Sequence, residues 1–122
     1  MKKILIVDDK PEVRELVEVT LRVEDYTIVQ AENGSDAVKI AQAEKPDLII
    51  MDIMMPGKID GLEASRQIKS DPNTKGSKIV MLTAKGQEVD KQEGIKAGAD
   101  DYLIKPFSPL ELIKKVEELL EL

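Results

Sequence analysis

Three four-residue runs constrain this chain more than any other feature in it. Ile4-Leu5-Ile6-Val7, Leu48-Ile49-Ile50-Met51 and Ile79-Val80-Met81-Leu82 are apolar at every position. A strand with one wet face alternates apolar and polar residues, whereas a strand without polar positions is covered on both faces. Such strands belong to parallel sheets with helices above and below. Two weaker strand candidates are Tyr26 to Val29 and Asp101 to Ile104.

The segments between the runs carry helical patterns. Pro11 stands where a first-turn proline is tolerated, and Val13, Leu16, Val17, Thr20 and Leu21 follow at helical spacing. Ser35 to Ala43 reads as a second helix on Ala37, Ile40 and Ala41. Asp60 with Glu63, and Ser108 with Glu111, have capping-box spacing and open a third and a last helix. The last helix carries Leu112, Val116, Leu119 and Leu120. The segment Gln87 to Ala97 makes the poorest helix, with Val89 and Ile95 as its main apolar residues and Gly94 inside it. It is expected to pack weakly and to move relative to its neighbours. Strand and helix alternate over the 122 residues without a linker or repeat. Residues 1–122 therefore read as a single domain of α/β class, a (βα)5 doubly wound parallel five-stranded sheet.

What the chain lacks narrows its chemistry. It has no Cys, so neither a disulfide framework nor thiolate catalysis is available. It has no His, which removes imidazole bases and histidine-ligated zinc. With 18 Lys+Arg against 24 Asp+Glu the net charge is -6, against the basic surplus that nucleic-acid backbones require. No apolar run reaches a membrane span and no signal peptide opens the chain, so a cytoplasmic protein without membrane contact is expected.

In an open parallel sheet, ligands bind beyond the carboxyl ends of the strands, where the strand order reverses. The first apolar run ends in Asp8-Asp9, the third strand in Asp52, the fourth in Thr83 and the fifth in Lys105-Pro106. Three carboxylates, a hydroxyl and an ammonium are thus delivered to one sheet edge. Two unit charges 4 Å apart repel by about 4 kcal/mol at an effective dielectric near 20. Lys105 offsets part of that repulsion, and a divalent cation would offset more. An all-oxygen ligand set favours Mg²⁺, and a carboxylate beside Mg²⁺ and a lysine suits formation of an aspartyl-phosphate.

Together, Val7-Asp8-Asp9, Asp52-Ile53-Met54-Met55-Pro56, Leu82-Thr83-Ala84 and Lys105-Pro106-Phe107 resemble the motifs of the receiver domain of two-component response regulators. The resemblance covers essentially the whole chain and implies a flavodoxin-like fold with strand order 2-1-3-4-5. It also implies that Asp52 accepts a phosphoryl group, with self-catalysed gain and loss of that group rather than turnover of a substrate. Asp9, Asp8, Asp52 and the Met54 backbone carbonyl would hold Mg²⁺. Lys105 would pair with the phosphoryl group and Thr83 would move to it. Tyr102 would follow Thr83 as a switch, and the Lys105-Pro106 bond would be cis. Met54 and Lys85 occupy positions that tune phosphoryl lifetime in similar proteins.

The implied donor is a sensor histidine kinase or a phosphotransfer protein. The implied output is a phosphorylation-dependent change in the surface of the fourth helix, fifth strand and last helix, read by a protein target, an effector domain or a second copy in a dimer. The turn from Met55 to Gly61 is one residue longer than the family's usual loop. No effector domain follows the last helix, so the chain reads as a stand-alone receiver or as one excised from a longer regulator.

Two other readings compete. A small Mg²⁺-dependent phosphohydrolase using an aspartyl-phosphate usually carries a second Asp two residues after the nucleophile, where this chain has Met54, and no cap domain is present. A phosphorylation-independent binding module would not need the full residue set, although the longer turn after Asp52 keeps it in view.

Overall fold

The computed structural model describes residues 1–84 and 88–121. Lys85 and Gln87, singled out above, lie outside the described residues, as does the side chain of Val89. Five strands alternate with five helices. The strands are β1 (Lys3–Val7), β2 (Thr27–Ala31), β3 (Leu48–Asp52), β4 (Lys78–Ala84) and β5 (Asp101–Lys105). The helices are α1 (Pro11–Thr20), α2 (Gly34–Glu44), α3 (Gly61–Ser70), α4 (Glu88–Lys96) and α5 (Pro109–Leu120). The sheet is parallel throughout, in the order β2-β1-β3-β4-β5. The direction of winding reverses between β1 and β3, which opens a crevice at their carboxyl ends.

The apolar runs are buried on both faces, as their composition requires. Leu5, Val7, Ile49, Met51, Ile79 and Met81 meet Ala37, Ala41, Ala64 and Ile68 from α2 and α3. Ile4, Ile6, Leu48, Ile50, Val80 and Leu82 meet Val17, Leu112, Val116 and Leu120 from α1 and α5. Alternate residues of each strand thus feed opposite cores.

Several boundaries and faces differ from the sequence expectations. β2 runs to Ala31 rather than ending at Val29, because it follows β1 in register from Lys3↔Thr27 to Val7↔Ala31. Leu16, placed in the α1 stripe by spacing, is 58% exposed. The face that packs is Val13, Val17 and Leu21, and Leu16 lies roughly 100° around the helix from its centre. Ile95 is exposed as well: at this end of α4 the buried residues are Gly94, which lies against the Met81 side chain, and Ala97 just beyond the helix. Asp60 caps α3 by accepting from the Glu63 N–H at 2.9 Å, but the Glu63 carboxylate turns to Arg66 and Gln67. The reciprocal capping box forms only at Ser108 and Glu111.

The junction of β3 with α3 fixes the crevice floor. Gly61 donates its N–H to the Ile53 carbonyl at 2.9 Å and presses its Cα face against the Asp52 carbonyl. A Cβ at residue 61 would overlap that backbone oxygen, and a backbone group at the end of a buried strand cannot step aside. Gly61→Ala is expected to destabilise the fold by about 1–3 kcal/mol, the usual cost of overpacking, read as a lower urea midpoint with unchanged slope. An Ala variant as stable as the parent would contradict this account of the junction.

Candidate functional site

Strand periodicity aims three charged groups into one place. Asp8, Asp52 and Lys105 each lie two residues beyond a strand residue of the α1/α5 core, namely Ile6, Ile50 and Leu103. The Lys105 ammonium sits 3.2 Å from Asp8 Oδ2 and 3.2 Å from Asp52 Oδ1, bridging both carboxylates. Asp8 is fully buried and also accepts the Lys10 N–H on Oδ1 at 2.9 Å, so both of its oxygens are engaged. Asp9 completes the cluster: one oxygen from each of Asp8, Asp9 and Asp52 lies within 4.8 Å of the others.

The electrostatics are unbalanced. Burial raises the Asp52 pKa above the ordinary 3.8, and the Asp8 charge raises it further. Lys105 pulls it back only in part, and Asp9 adds to the rise. Burial acts to lower the Lys105 pKa, but Asp52 and Asp8 outweigh it and hold the ammonium above 10.5. One lysine therefore serves two buried carboxylates with a third nearby, and the cleft retains an excess of negative charge.

Two buried oxygens have no hydrogen-bond partner among the described residues: Asp9 Oδ1 and Thr83 Oγ1. A buried polar atom left unpaired costs about 1–3 kcal/mol, so a pair of them beside a charge-rich cleft marks a place built for a further group. A hard divalent cation with oxygen ligands fits the carboxylate side. A group bearing acceptor oxygens fits the Thr83 side.

The remaining expected site residues fall around this core. Thr83 is buried and lines a cavity of about 340 Å³ together with Lys10, Val13, Asp52, Met54, Ala84 and Lys105. Met54 is 64% exposed at the rim, so of the Met51, Met54 and Met55 group only Met51 and Met55 serve as packing. Tyr102 lies opposite Met81 in the β4–β5 register, on the face that carries Thr83, and is half-buried there. The Lys105-Pro106 bond is cis.

Sequence reasoning passed over two contributors. Arg14 donates from Nη1 to the Asp8 carbonyl at 2.7 Å and from Nε to Gln30 at 3.0 Å, pinning the β1–α1 turn to β2. Lys10 reaches to 3.6 Å from Asp9 Oδ1. The available signal was positional, since both follow Asp8-Asp9 within the first turn of α1.

The model of the response regulator receiver domain matches residues 4–117. The chain belongs to this family. The receiver is 47% identical over 118 residues to the transcriptional regulatory protein ResD of Bacillus subtilis, covering 97% of this chain and 48% of that protein. It is 45% identical over 119 residues to the phosphate regulon regulator PhoB of Pseudomonas aeruginosa, covering 98% of this chain and 52% of the relative. The chain thus spans about half the length of the curated relatives it matches. Among solved structures, a chain from Chloroflexus aurantiacus J-10-fl superposes with a TM-score of 0.93 at 40% identity, covering 99% of this chain and 98% of that one. The receiver domain of the sensor histidine kinase PA1611 from P. aeruginosa, solved with magnesium in its active-site cleft, gives 0.89 at 32% identity, covering 99% and 98%.

The raised pKa of Asp52 has a consequence for stability. The folded receiver holds the Asp52 proton more tightly than the unfolded chain does. This group therefore favours folding only below the ordinary value of 3.8, and that contribution is lost as pH rises through the folded pKa. At pH 7 the Asp52 charge is a net cost. Asp52→Asn is expected to raise the metal-free melting temperature at pH 7 by a few degrees, about 4 °C for a gain near 1 kcal/mol. The difference should shrink toward pH 4. A variant less stable than the parent at pH 7 would contradict the reading of the cleft as charge-strained.

Proposed function

We propose that residues 1–122 form one receiver unit in which Asp52 accepts a phosphoryl group from a histidine kinase or phosphotransfer protein. The observation that carries this reading is the buried Asp8–Lys105–Asp52 arrangement with the unpartnered Thr83 hydroxyl beside it. An Asp52 oxygen attacks phosphorus, an O–P bond forms, and the donor's bond to phosphorus breaks with its electron pair leaving on the donor. These 122 residues contain no His, so the donor histidine lies outside them.

The residues divide the work. Lys105, already at hydrogen-bond distance from Asp52, takes a phosphoryl oxygen as Asp52 gives up its free charge. Asp8, Asp9, Asp52 and the Met54 carbonyl would hold Mg²⁺, which would neutralise charge on the phosphoryl oxygens. Asp8 contributes from one step back, because both its oxygens already accept hydrogen bonds within the fold. Thr83 supplies its spare hydroxyl to the phosphoryl group, and its displacement along β4 is felt on the shared face by Tyr102 and α4. The altered α4-β5-α5 surface then selects a partner, an effector domain or a second copy. No helix among the described residues is long and apolar enough to cross a membrane, in keeping with a cytoplasmic role.

Intact-protein mass spectrometry after incubation with acetyl phosphate tests this reading. A single phosphoryl adduct is expected with Mg²⁺, strongly reduced without it and absent in Asp52→Asn. An adduct of equal yield in Asp52→Asn would move the acceptor elsewhere. No adduct on folded parent chain, either from acetyl phosphate or from a phosphorylated histidine kinase, would leave a module that works without phosphorylation.

A further inference from the structure

The cleft holds a second lysine that nothing in the phosphoacceptor reading uses. Lys10 caps α1 from the β1–α1 turn, and its backbone N–H is fixed on Asp8 Oδ1. Its ammonium lies 3.6 Å from Asp9 Oδ1, too far for a hydrogen bond but close enough for charge attraction. That same Asp9 oxygen is buried and has no hydrogen-bond partner among the described residues. Lys10 also lines the cavity that contains Asp52, Thr83 and Lys105.

The two lysines differ in how firmly they are held. The Lys105 side chain is 29% exposed and makes two contacts at 3.2 Å, whereas that of Lys10 is 55% exposed and makes one loose contact. An exposed ion pair of this kind contributes little, so it yields readily to a stronger competitor. Asp9 is the carboxylate with a spare buried oxygen, the one best suited to bind a divalent cation directly. A cation arriving there meets Lys10 first.

We propose that Lys10 is a positioning residue with two successive stations. In the metal-free receiver it serves as a stand-in cation for Asp9 and competes with Mg²⁺ for it. Once Mg²⁺ binds, the ammonium is repelled from Asp9 into the cavity it already lines, where it draws in small anionic phosphoryl donors. Lys10 thereby weakens metal binding and quickens the reaction of the metal-bound state. This inference rests on the phosphoacceptor reading, and the two fail separately in the experiment below.

The Mg²⁺ dissociation constant is measured from the rise of melting temperature with Mg²⁺ concentration, and the acetyl phosphate reaction is followed at saturating Mg²⁺. Lys10→Ala is expected to bind Mg²⁺ roughly three- to tenfold more tightly, because a divalent ion feels the lost repulsion twice over. It should gain phosphoryl groups roughly two- to fivefold more slowly. Lys10→Arg keeps the charge and should stay near the parent in both. Lys58→Ala removes an exposed charge from the neighbouring loop and should leave both within about twofold, which separates a local effect from general surface charge. Unchanged or weaker Mg²⁺ binding in Lys10→Ala, or an equal effect from Lys58→Ala, would overturn the stand-in role. An unchanged rate at saturating Mg²⁺ would overturn the second station. A parent chain that neither responds to Mg²⁺ nor takes a phosphoryl group would overturn the underlying reading as well.

Discussion

Lys105 holds two carboxylates that would otherwise repel each other inside the protein. Asp8 is fully buried and Asp52 nearly so, and each lies 3.2 Å from the same ammonium. Burying an unpaired carboxylate costs several kcal/mol, so the end of β5 must come close to the ends of β1 and β3 for either acid to remain charged. The sheet order makes this possible. β3 and β4 place Asp52 beside Leu82, β4 and β5 place Lys105 beside Ala84, and the side chain of Lys105 then spans β4 to reach the crevice. Lys105 shared between two buried acids, with only the loose Lys10 contact on the third, leaves the balance incomplete, and that shortfall raises the Asp52 pKa.

The residues proposed to respond to the site are arranged by the same periodicity that built it. Asp8, Asp52 and Lys105 share the side of the sheet covered by α1 and α5, whereas Thr83 and Tyr102 sit on the other side, under α4. In the mechanism proposed above, chemistry at the strand ends would reach the opposite helical layer through Thr83, the residue of β4 that stands at the crevice. Among the described side chains of the α4 segment, Gly94 and Ala97 are buried and Ile95 is exposed.

Much of this was legible in the residues. Strands without polar positions require cover on both faces, and polar residues directly after the apolar runs mark one common edge; together these locate Asp8, Asp9, Asp52, Thr83 and Lys105 without coordinates. The misreadings have physical causes. Leu16 fits a helical period but lies off the narrow i, i+4 ridge of Val13, Val17 and Leu21 that meets the sheet. Ile95 stood out with Val89 as a main apolar residue of α4 because apolar spacing discounts Gly94, whose lack of a side chain allows Met81 to approach. Lys10 and Arg14 escaped notice because their roles depend on where a turn directs long side chains, which residue type alone does not specify.

The central claim is that Asp52 lies in a cleft short of positive charge. Its most direct test is a pH titration of the Asp52 side-chain carboxyl carbon by NMR in metal-free buffer, assigned through Asp52→Asn and repeated with Mg²⁺. The account predicts an Asp52 midpoint above the ordinary carboxylate value of 3.8 without metal, moving downward when Mg²⁺ is present. A metal-free midpoint at or below that value would mean that Lys105 already balances the cleft, and the account would be wrong.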